Sequence, residues 1–454
     1  MRVARLNNKL AEVRNDARRN SLIILRAITD RHQEKARALC AVPVPHGSMM
    51  MEGDTVKAQK KILICGAGIA GPVCAYWLHQ YGYEVVIAEK ARTLRDGGQN
   101  VDIKGAGQQV IRMMGLAARI EAKNTMEKGQ KYIDAAGKPV AVFPKGAFAT
   151  LTNDFEILRG DFAQILFEAT ARTCDYRFET FIKNLEEKND GISVTFNDDS
   201  VEDFEFVICA EGISSATRNM ILPGETGFRY LGAYMSFFKI SKRPEDDGWA
   251  HTLNGADGTF ITLRPGNERE TTVLVTFLQK KPDIKWENQE DAKKILRAAL
   301  KGRGTIADRI STELETVHDF YFGPMSQVKM SRWSKGRFVL LGDAAYCPTA
   351  FTGEGTALAL VGAYVLAGEI KRNTQYAAAF DAYESLVRPY VLSSQNRMNP
   401  VFIRLLHARS RTAIMLTHGV QKILASDFLQ KCFRREAAKR ETKIVKDFIF
   451  PDYT

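Results

Sequence analysis

Lys61-Ile-Leu-Ile-Cys-Gly-Ala-Gly-Ile-Ala-Gly71 is the stretch from which the architecture of this chain is best derived. Ile62–Cys65 is a continuous apolar run, which is typical of a parallel strand buried on both faces. The glycines that follow have the spacing G-x-G-x-x-G, and a helix is predicted to begin near Ile69. Pro72 suits the first turn of that helix, where a missing N–H group costs little. Strand, glycine turn and helix together predict the first half of a βαβ unit.

The glycines and one acidic residue point to a ligand. Gly66 permits the tight turn, Gly68 lets the backbone approach a pyrophosphate, and Gly71 lets the helix pack on the sheet. Glu89 ends the next apolar run about 20 residues later, where its carboxylate is placed to accept hydrogen bonds from ribose hydroxyls. The positive end of the helix dipole favours phosphate at the same place. We therefore predict that the chain binds a dinucleotide here, with Ala70 beside the glycines in the site.

The composition is typical of a globular protein with a large core. The chain has 454 residues, of which 45% are hydrophobic and 26% are charged, and its length predicts two or three domains. It contains no run of about 18 apolar residues, so no membrane-spanning helix is expected. The seven cysteines are scattered and odd in number. This pattern favours a reduced compartment, the cytoplasm, and predicts neither a disulfide framework nor a metal site.

Much of the positive charge lies near the start of the chain. The net charge is +11, and residues 1–48 hold ten Lys/Arg against four Asp/Glu. A basic surface attracts nucleic acid, but no nucleic-acid motif accompanies it, so no such partner is predicted. Residues 1–58 form an extension for which three interpretations stay open. It is a targeting segment, a helical appendage on the body, or a loosely held or untranslated stretch before Met51.

After residue 60 the pattern changes from α/β to β-rich and back to α/β. Apolar spacing predicts helices at 106–114, 157–172, 290–302, 356–372, 376–391 and through 400–446. Alternation predicts a hairpin over 131–143 and strands at 178–188, 191–196, 205–209, 234–240, 259–264, 271–278 and 338–341. The last of these strands is followed by Gly-Asp and is expected to rejoin the first sheet.

Three later segments distinguish the cofactor. They are Ile-Leu-Arg-Gly-Asp-Phe at 157–162, Ala-Glu-Gly-Ile-Ser-Ser-Ala-Thr-Arg at 210–218, and Gly-Asp-Ala-Ala-Tyr-Cys-Pro at 342–348, which runs on to Gly-Glu-Gly-Thr at 353–356. This set resembles the signature of the FAD-dependent single-component aromatic hydroxylases, the para-hydroxybenzoate hydroxylase-like flavoprotein monooxygenases. It is most similar to their salicylate hydroxylase-like and tetracycline-inactivating branch. The resemblance covers about residues 60–390.

The resemblance implies further residues that contact FAD. Asp343 would meet ribityl or ribose hydroxyls, and Arg159 matches an arginine that contacts the cofactor in family members. The N-terminus of the helix after residue 353 would stabilise negative charge on a reduced flavin. The full set of residues that it implies is Gly98, Asp102, Arg159, Asp343, Gly353, Gly355 and Thr356.

The chain departs from the family pattern at three places. Glu211 stands where the family usually has aspartate, and Tyr346 stands where histidine usually follows the Gly-Asp element. Thr349-Ala350 replaces a proline pair, with Pro348 shifted. Because the flavin carries most of the chemistry in this family, we expect these changes to tune the pocket without abolishing activity.

The predicted fold is α/β. A G-x-G-x-x-G Rossmann-like FAD-binding domain is assembled from separated segments, with an inserted β-rich substrate domain and C-terminal helices. The expected boundaries are 59–128, 152–232 and 325–390 for the FAD-binding domain, 129–151 and 233–324 for the substrate domain, and 391–454 for the C-terminal helical segment.

The resemblance also implies a reaction. NADPH or NADH would reduce bound FAD, and O2 would form a C4a-hydroperoxyflavin that hydroxylates or epoxidises an electron-rich aromatic or polycyclic small molecule, such as a secondary metabolite. No second G-x-G-x-x-G unit is present, so the nicotinamide is expected to dock transiently. Two alternatives stay open: a non-oxygenating flavin oxidoreductase and a non-catalytic FAD-binding protein. The sequence does not indicate an oligomeric state.

Several residues of the β-rich insertion are candidates for the substrate pocket. Phenylalanines 237, 238, 260 and 277 either line one side of that pocket or fill the core of the insertion. Arg264 and His251 either bind a phenolate or carboxylate or have a structural role. No catalytic side chain is predicted.

Overall fold

A computed structural model describes the chain over residues 60–95, 97, 99–147, 155–426, 429–430 and 448–453. The predictions for residues 1–58, for Gly98 and for the end of the 400–446 helical segment lie outside these residues.

The first layer is a six-stranded sheet built from segments that are far apart in sequence. Its strands are β1 (Lys61–Cys65), β2 (Glu84–Glu89), β7 (Asp175–Phe178), β11 (Phe206–Cys209), β17 (Ser334–Lys335) and β18 (Phe338–Leu340). Their order is β17-β18-β11-β1-β2-β7, and every pair is parallel except β17–β18. The late strand β18 pairs with β11, so it rejoins the first sheet as predicted.

Helices cover this sheet and extend beyond it. They are α1 (Ala70–Gln80), α2 (Ala106–Met113), α3 (Ala117–Glu121), α4 (Arg159–Thr170), α5 (Ala216–Ile221), α6 (Gln289–Leu300), α7 (Thr305–Glu313), α8 (Asp343–Tyr346), α9 (Gly355–Arg372), α10 (Tyr376–Arg397), α11 (Pro400–Leu406) and α12 (Arg411–Leu424). Helix α9 packs against α1, α2 and α10 and is buried along almost its whole length, which explains why it is apolar on all sides. None of the helices in the described part of the chain is long and apolar enough to cross a membrane.

The second layer is a seven-stranded sheet. Its strands are β4 (Gly129–Ile133), β5 (Pro139–Pro144), β12 (Gly227–Ser241), β13 (Ala250–Gly255), β14 (Thr259–Pro265), β15 (Glu270–Leu278) and β16 (Phe320–Lys329). The order is β16-β12-β15-β14-β13-β4-β5, antiparallel except for β4–β13. One face packs on the apolar sides of α6 and α7, through residues such as Leu296 and Ile310. The predicted hairpin over 131–143 is confirmed as β4–β5.

Two smaller sheets complete the fold. The first pairs β3 (Asn100–Asp102) with β6 (Glu156–Leu158). The second contains β8 (Ile182–Glu187), β9 (Ile192–Phe196) and β10 (Val201–Phe204). The two-stranded sheet contacts the seven-stranded one, because Thr272 donates a hydrogen bond of 2.5 Å to Asn100.

Several predicted element boundaries are wrong. The helix predicted from residue 157 begins at Arg159, because the residues before it extend strand β6. The strand predicted over 178–188 is two strands, separated at Glu179, which has a φ of 53°. Strands β13 and β16 were not predicted, since polar residues of β13 are buried and β16 contains Gly323-Pro324.

The four phenylalanines do not share one face. Successive side chains of a strand point to opposite faces, so Phe237 and Phe238 cannot both line a pocket on the same side. Phe238 and Phe277 pack with α6 and α7 in the core of this layer. Phe260 lies on the other face, where its ring centroid is 5.9 Å from that of Phe351. Only Phe237 and Phe260 stay candidates for the pocket.

Substitution of Gly71 by alanine tests the close contact between helix α1 and the preceding turn. An added Cβ would lie 2.1 Å from the backbone oxygen of Gly66, so we expect Gly71→Ala to lower the free energy of unfolding by about 1–3 kcal/mol. Gly419→Ala is the matched control, since a Cβ there meets no atom within 4 Å. Urea unfolding that shows equal stability for the two variants would contradict the contact.

Candidate functional site

A cleft opens at the carboxyl ends of β1, β2 and β11. Its walls come from the glycine turn after β1, the loop after β2, the first turns of α4 and the residues after β11. The lining residues are Gly66, Ala67, Gly68, Glu89, Leu94, Arg95, Arg159, Ala163, Ala210 and Glu211. Ligands of open α/β sheets bind at this edge.

The glycine turn forms the floor of the cleft. Gly66 has a φ of +107°, and a Cβ there would lie 2.6 Å from the backbone oxygen of Ala210, just after β11. A Cβ on Gly68 would instead point towards the cleft, with Arg159 Nη2 as its nearest atom at 3.8 Å. The turn therefore leaves room for a ligand at Gly68, while Gly66 and Gly71 are required by packing.

Glu89 connects this turn to the next loop. Its Oε2 accepts a 2.9 Å hydrogen bond from the backbone of Ala67, and its Oε1 accepts one of 2.9 Å from Ala91. A carboxylate has about four acceptor positions, so Glu89 retains capacity for ligand hydroxyls. The carboxylate thus shapes the cleft in addition to lining it.

Two arginines make one wall of the cleft positive. Neither Arg95 nor Arg159 has a carboxylate within ion-pairing distance among the described residues. Burial lowers the pKa of Arg159, and the nearby Arg95 lowers it further, against the opposing effect of Asp343. Two cations held together without a partner fit an anionic ligand such as a pyrophosphate. Arg95 was missed by the sequence analysis, because nothing in the loop after β2 distinguishes it from a surface arginine.

Asp343 lies at the start of α8, near the cationic wall. The preceding Gly342 has a φ of +65°. The Asp343 side chain is exposed although protein atoms surround it closely, so it lines a concave surface. The protein atoms around it displace water from the Asp343 carboxyl and so raise its pKa, and Arg159 opposes the rise. The missing Cβ of Gly355 would lie 3.8 Å from Asp343 Oδ1, which brings the first turn of α9 to the same place.

The loop before α9 is strained. Thr349 has a φ of 81°, which is rare for a β-branched residue. It is only 2% exposed, and its hydroxyl has no hydrogen-bond partner among the described residues. A strained backbone with an unpartnered buried hydroxyl is typical of a ligand-binding loop. The loop ends at Gly353, which has a φ of +63°.

The departures at Glu211 and Tyr346 have structural explanations. Glu211 accepts hydrogen bonds from the Ser215 hydroxyl at 2.6 Å and from the Thr217 backbone and hydroxyl at 3.1 and 2.7 Å. Its longer side chain therefore folds back onto the first turn of α5. Tyr346 is buried under α9 and accepts a 3.1 Å hydrogen bond from Tyr383.

The structure brings most of the predicted site residues into two adjacent groups. Gly66, Gly68, Glu89 and Arg159 line the cleft, with Ala70 and Gly71 packed directly behind. The second group is Asp343, Gly353, Gly355 and Thr356, around the start of α9. Asp102 contacts Arg264 at 3.4 Å and is not among the residues that line the cleft. Its role at the cofactor stays a prediction.

The family of the chain follows from comparison with known proteins. Residues 59–392 match the family described as FAD binding domain. The chain belongs to this family. Its bound cofactor is therefore FAD.

Relatives specify the class of enzyme. The chain is 36% identical over 344 residues to a flavin-dependent monooxygenase of Legionella longbeachae, across 74% of this chain and 87% of that protein. It is 34% identical over 425 residues to the flavin-dependent monooxygenase eupH of a Phoma species, across 87% and 97% of the two chains. The solved structure of tetracycline destructase Tet(55) has a TM-score of 0.72 and 29% identity, across 88% of this chain and 100% of that one. This protein is an FAD-dependent monooxygenase.

The residues of the cleft fit FAD. The guanidinium groups of Arg95 and Arg159, which have no carboxylate partner in the part of the chain that the structure describes, suit its pyrophosphate. The open side of Gly68 allows close approach to the backbone. The unpartnered hydroxyl of Thr349 and the N-terminus of α9 suit a polar group beyond the phosphates.

A buried ion cluster borders the second layer. We define the Arg264 cluster as Arg264, Asp102, Glu127 and Glu156. Arg264 lies 2.8 Å from Glu127, 3.1 Å from Glu156 and 3.4 Å from Asp102. Glu156 and Asp102 belong to the β3–β6 sheet, and Arg264 belongs to β14, so the cluster joins this small sheet to the second layer. Arg264 therefore has a structural role in this structure. His251, the other candidate, pairs with Asp247 at 3.2 Å.

The cluster holds three carboxyl groups for one cation. Burial raises the pKa of Glu156 to about 7, Arg264 opposes this, and the neighbouring Glu127 and Asp102 add to the rise. The folded chain therefore keeps a proton on Glu156 at pH values where the unfolded chain has lost it. A raised carboxyl pKa stabilises the fold below the unfolded pKa of 4.5, and this contribution is lost as the pH rises through about 7.

Replacing Glu156 with glutamine tests this pH dependence. In the parent protein we expect the free energy of unfolding to fall by about 2–3 kcal/mol between pH 4.5 and pH 7 through this group. Glu156→Gln should flatten that slope, while Glu121→Gln, at an exposed residue of α3, should not. Chemical unfolding at a series of pH values measures the free energy of unfolding of each protein. The same dependence on pH in the parent and in Glu156→Gln would show that Glu156 is not the group responsible.

Substitution of Arg159 tests whether the cationic wall of the cleft binds FAD. We expect Arg159→Met to raise the dissociation constant of FAD about tenfold or more, because a charged hydrogen bond contributes about 1.5–3 kcal/mol. Arg172→Met, an exposed arginine just after α4, is the control. Titration of the apoprotein with FAD, followed by flavin fluorescence, measures both. Unchanged affinity in the first variant would place the pyrophosphate elsewhere.

Proposed function

We propose that this enzyme uses NADPH or NADH and O2 to hydroxylate or epoxidise an electron-rich aromatic or polycyclic small molecule. The observation that carries the proposal is a buried polar face of the seven-stranded sheet. Arg264 and Thr272 lie on that face and contact Asp102 and Asn100 of the β3–β6 sheet. Strand β6 leads directly into α4 at Arg159, so the polar face is turned towards a segment that lines the cleft.

The polar face has the chemistry of a binding surface. Gln130 donates a 2.8 Å hydrogen bond to Thr252, and the hydroxyls of Thr252 and Thr262 are 3.1 Å apart. The side-chain oxygens of Gln130 and Asn254 are buried and have no partner among the described residues. Because a buried unpaired acceptor is costly, both suit a substrate with hydroxyl or amino donors.

In this proposal, aromatic rings beside the polar face form the apolar part of the substrate pocket. Phe260 lies on the polar face and meets Phe351, which belongs to the loop before α9. His407 adds a ring at 5.8 Å from Phe260. Planar rings beside a few hydrogen-bonding groups favour an aromatic or polycyclic ligand.

FAD supplies the oxygen chemistry when it is bound and reduced, by activating O2 into an electrophile. In our proposal Arg95 and Arg159 hold the pyrophosphate, and Glu89 accepts hydrogen bonds from ribose hydroxyls. The N-terminus of α9 stabilises negative charge near the flavin ring, and Asp343 binds cofactor hydroxyls. The seven-stranded sheet covers the reacting groups and excludes water.

The chain is divided into three parts in this proposal. We propose residues 59–128, 152–232 and 325–390 as the FAD-binding part, residues 129–151 and 233–324 as the substrate part, and residues 391–454 as the C-terminal helical segment. Residues 148–154, 427–428 and 431–447 of these ranges lie outside those that the structure describes. The nicotinamide docks transiently, the substrate and O2 are small molecules, and the enzyme works in the cytoplasm.

Product analysis with isotopically labelled O2 tests the reaction. The holoenzyme is given NADPH or NADH and a panel of phenols and polycyclic compounds, with tetracycline included because a tetracycline destructase is among the similar solved structures. We expect a substrate to accelerate nicotinamide consumption and to gain one labelled oxygen. Asn254→Leu should raise KM by about tenfold, and Asn267→Leu, in the β14–β15 turn, is the control. Nicotinamide oxidation that yields only hydrogen peroxide with every compound would favour a non-oxygenating oxidoreductase.

A further inference from the structure

Helix α12 presents its large apolar side chains to the outside. Met415, Leu416, Val420 and Ile423 are between 55% and 73% exposed. At 3.6 residues per turn these four side chains fall within an arc of about 140° on one side of the helix. We call this set the α12 stripe. An exposed apolar patch of this kind marks an interaction surface.

The opposite side of α12 is the one that packs on the protein. Gln421 is buried there, and the partly buried Leu424 and Ala425 pack against Ala141 and Phe143 of β5. The inward side of the helix holds Gln421 with the partly buried Ile414 and Leu424, whereas the four large apolar residues of the stripe face outwards. Internal packing therefore does not account for the α12 stripe.

Positive charge accompanies the α12 stripe. Residues 400–426 contain four Lys/Arg and no Asp/Glu before Asp427. All four, Arg404, Arg409, Arg411 and Lys422, are exposed. By the same helical rotation, Arg411 and Lys422 lie beside Met415 at the border of the stripe. The surface thus combines hydrocarbon with an unbalanced positive rim.

We propose that α12 docks this enzyme on an anionic lipid bilayer, with the α12 stripe in the interface and the basic rim on the headgroups. An amphipathic helix with an apolar face and Lys/Arg on its border binds such interfaces through both contributions. A second copy of the chain fits less well. A two-fold interface on the stripe would bring the basic rims of both copies, with Arg411 and Lys422 of each, to one surface, and like charges in contact are unfavourable. The proposal is independent of the reaction that the enzyme catalyses.

Vesicle flotation with the full-length holoenzyme tests the docking. Vesicles of phosphatidylcholine alone are compared with vesicles in which about a third of the lipid is phosphatidylglycerol. We expect the protein to float with the anionic vesicles, to bind the neutral ones much less, and to be released in part by high salt, because salt screens the charge contribution.

Variants separate the contribution of the apolar stripe to vesicle binding from that of the basic residues. Leu416→Glu combined with Val420→Glu should reduce binding about tenfold or more, and Arg409→Gln combined with Arg411→Gln should remove the preference for anionic lipid. Val201→Glu, at a residue of β10 that is 64% exposed, is the control and should bind like the parent. A thermal melt confirms that each variant folds.

A Leu416→Trp variant gives a second readout. Its fluorescence should shift to shorter wavelength when anionic vesicles are added, because the indole leaves water. No flotation with either vesicle, or equal flotation of parent and Leu416→Glu/Val420→Glu, would overturn the proposal. A parent dimer that the double glutamate variant converts to a monomer, without vesicle binding, would assign the α12 stripe to a second copy instead.

Discussion

The close backbone contact at Gly66 is the constraint on which the site depends. Gly66 lies against both the backbone of Ala210, which follows β11, and the start of helix α1 at Gly71. No side chain fits between these three segments, so the strand, the helix and the neighbouring strand meet at one point. That meeting places the N-terminus of α1 at the edge of the sheet and leaves the cleft between the β1 and β2 loops. Glu89 then holds the turn from the other side through its hydrogen bond with Ala67.

The molecule balances charge in two opposite ways. In the cleft, Arg95 and Arg159 lie together without a carboxylate partner among the described residues, which leaves the field of two cations available to an anionic cofactor. In the Arg264 cluster, one arginine faces three carboxyl groups, and the excess is relieved by a proton on Glu156. The cleft is thus prepared for a ligand, whereas the arginine of the cluster is paired with carboxyl groups of the chain itself and joins the β3–β6 sheet to the second layer. Both follow from burial, which makes uncompensated charge costly.

The first layer could be predicted from sequence because its signals are local. The glycine spacing, the buried runs of β1 and β18 and the acidic residue at 89 each depend on a few neighbouring residues. The second layer was predicted less well, since its strands carry polar residues on a buried face and therefore lack simple alternation. Whether Phe238 lies in a core or a pocket depends on register, which no local pattern shows. Arg95 meets Arg159 only through the fold, and Asp102 pairs with Arg264 across about 160 residues of chain, so the sequence offered no sign of either contact.

The order of strands in the first sheet has a consequence for synthesis of the chain. Strand β18 borders β11, yet about 130 residues separate them, including five strands of the second layer. As the chain leaves the ribosome, β11 has an open edge until residue 340 emerges. Contacts of such long sequence separation form slowly, and an unpaired strand edge exposes the chain to aggregation. The insertion that builds the seven-stranded sheet therefore also delays completion of the six-stranded one. We expect the chain to depend most on chaperones during that interval, while the edge of β11 is open.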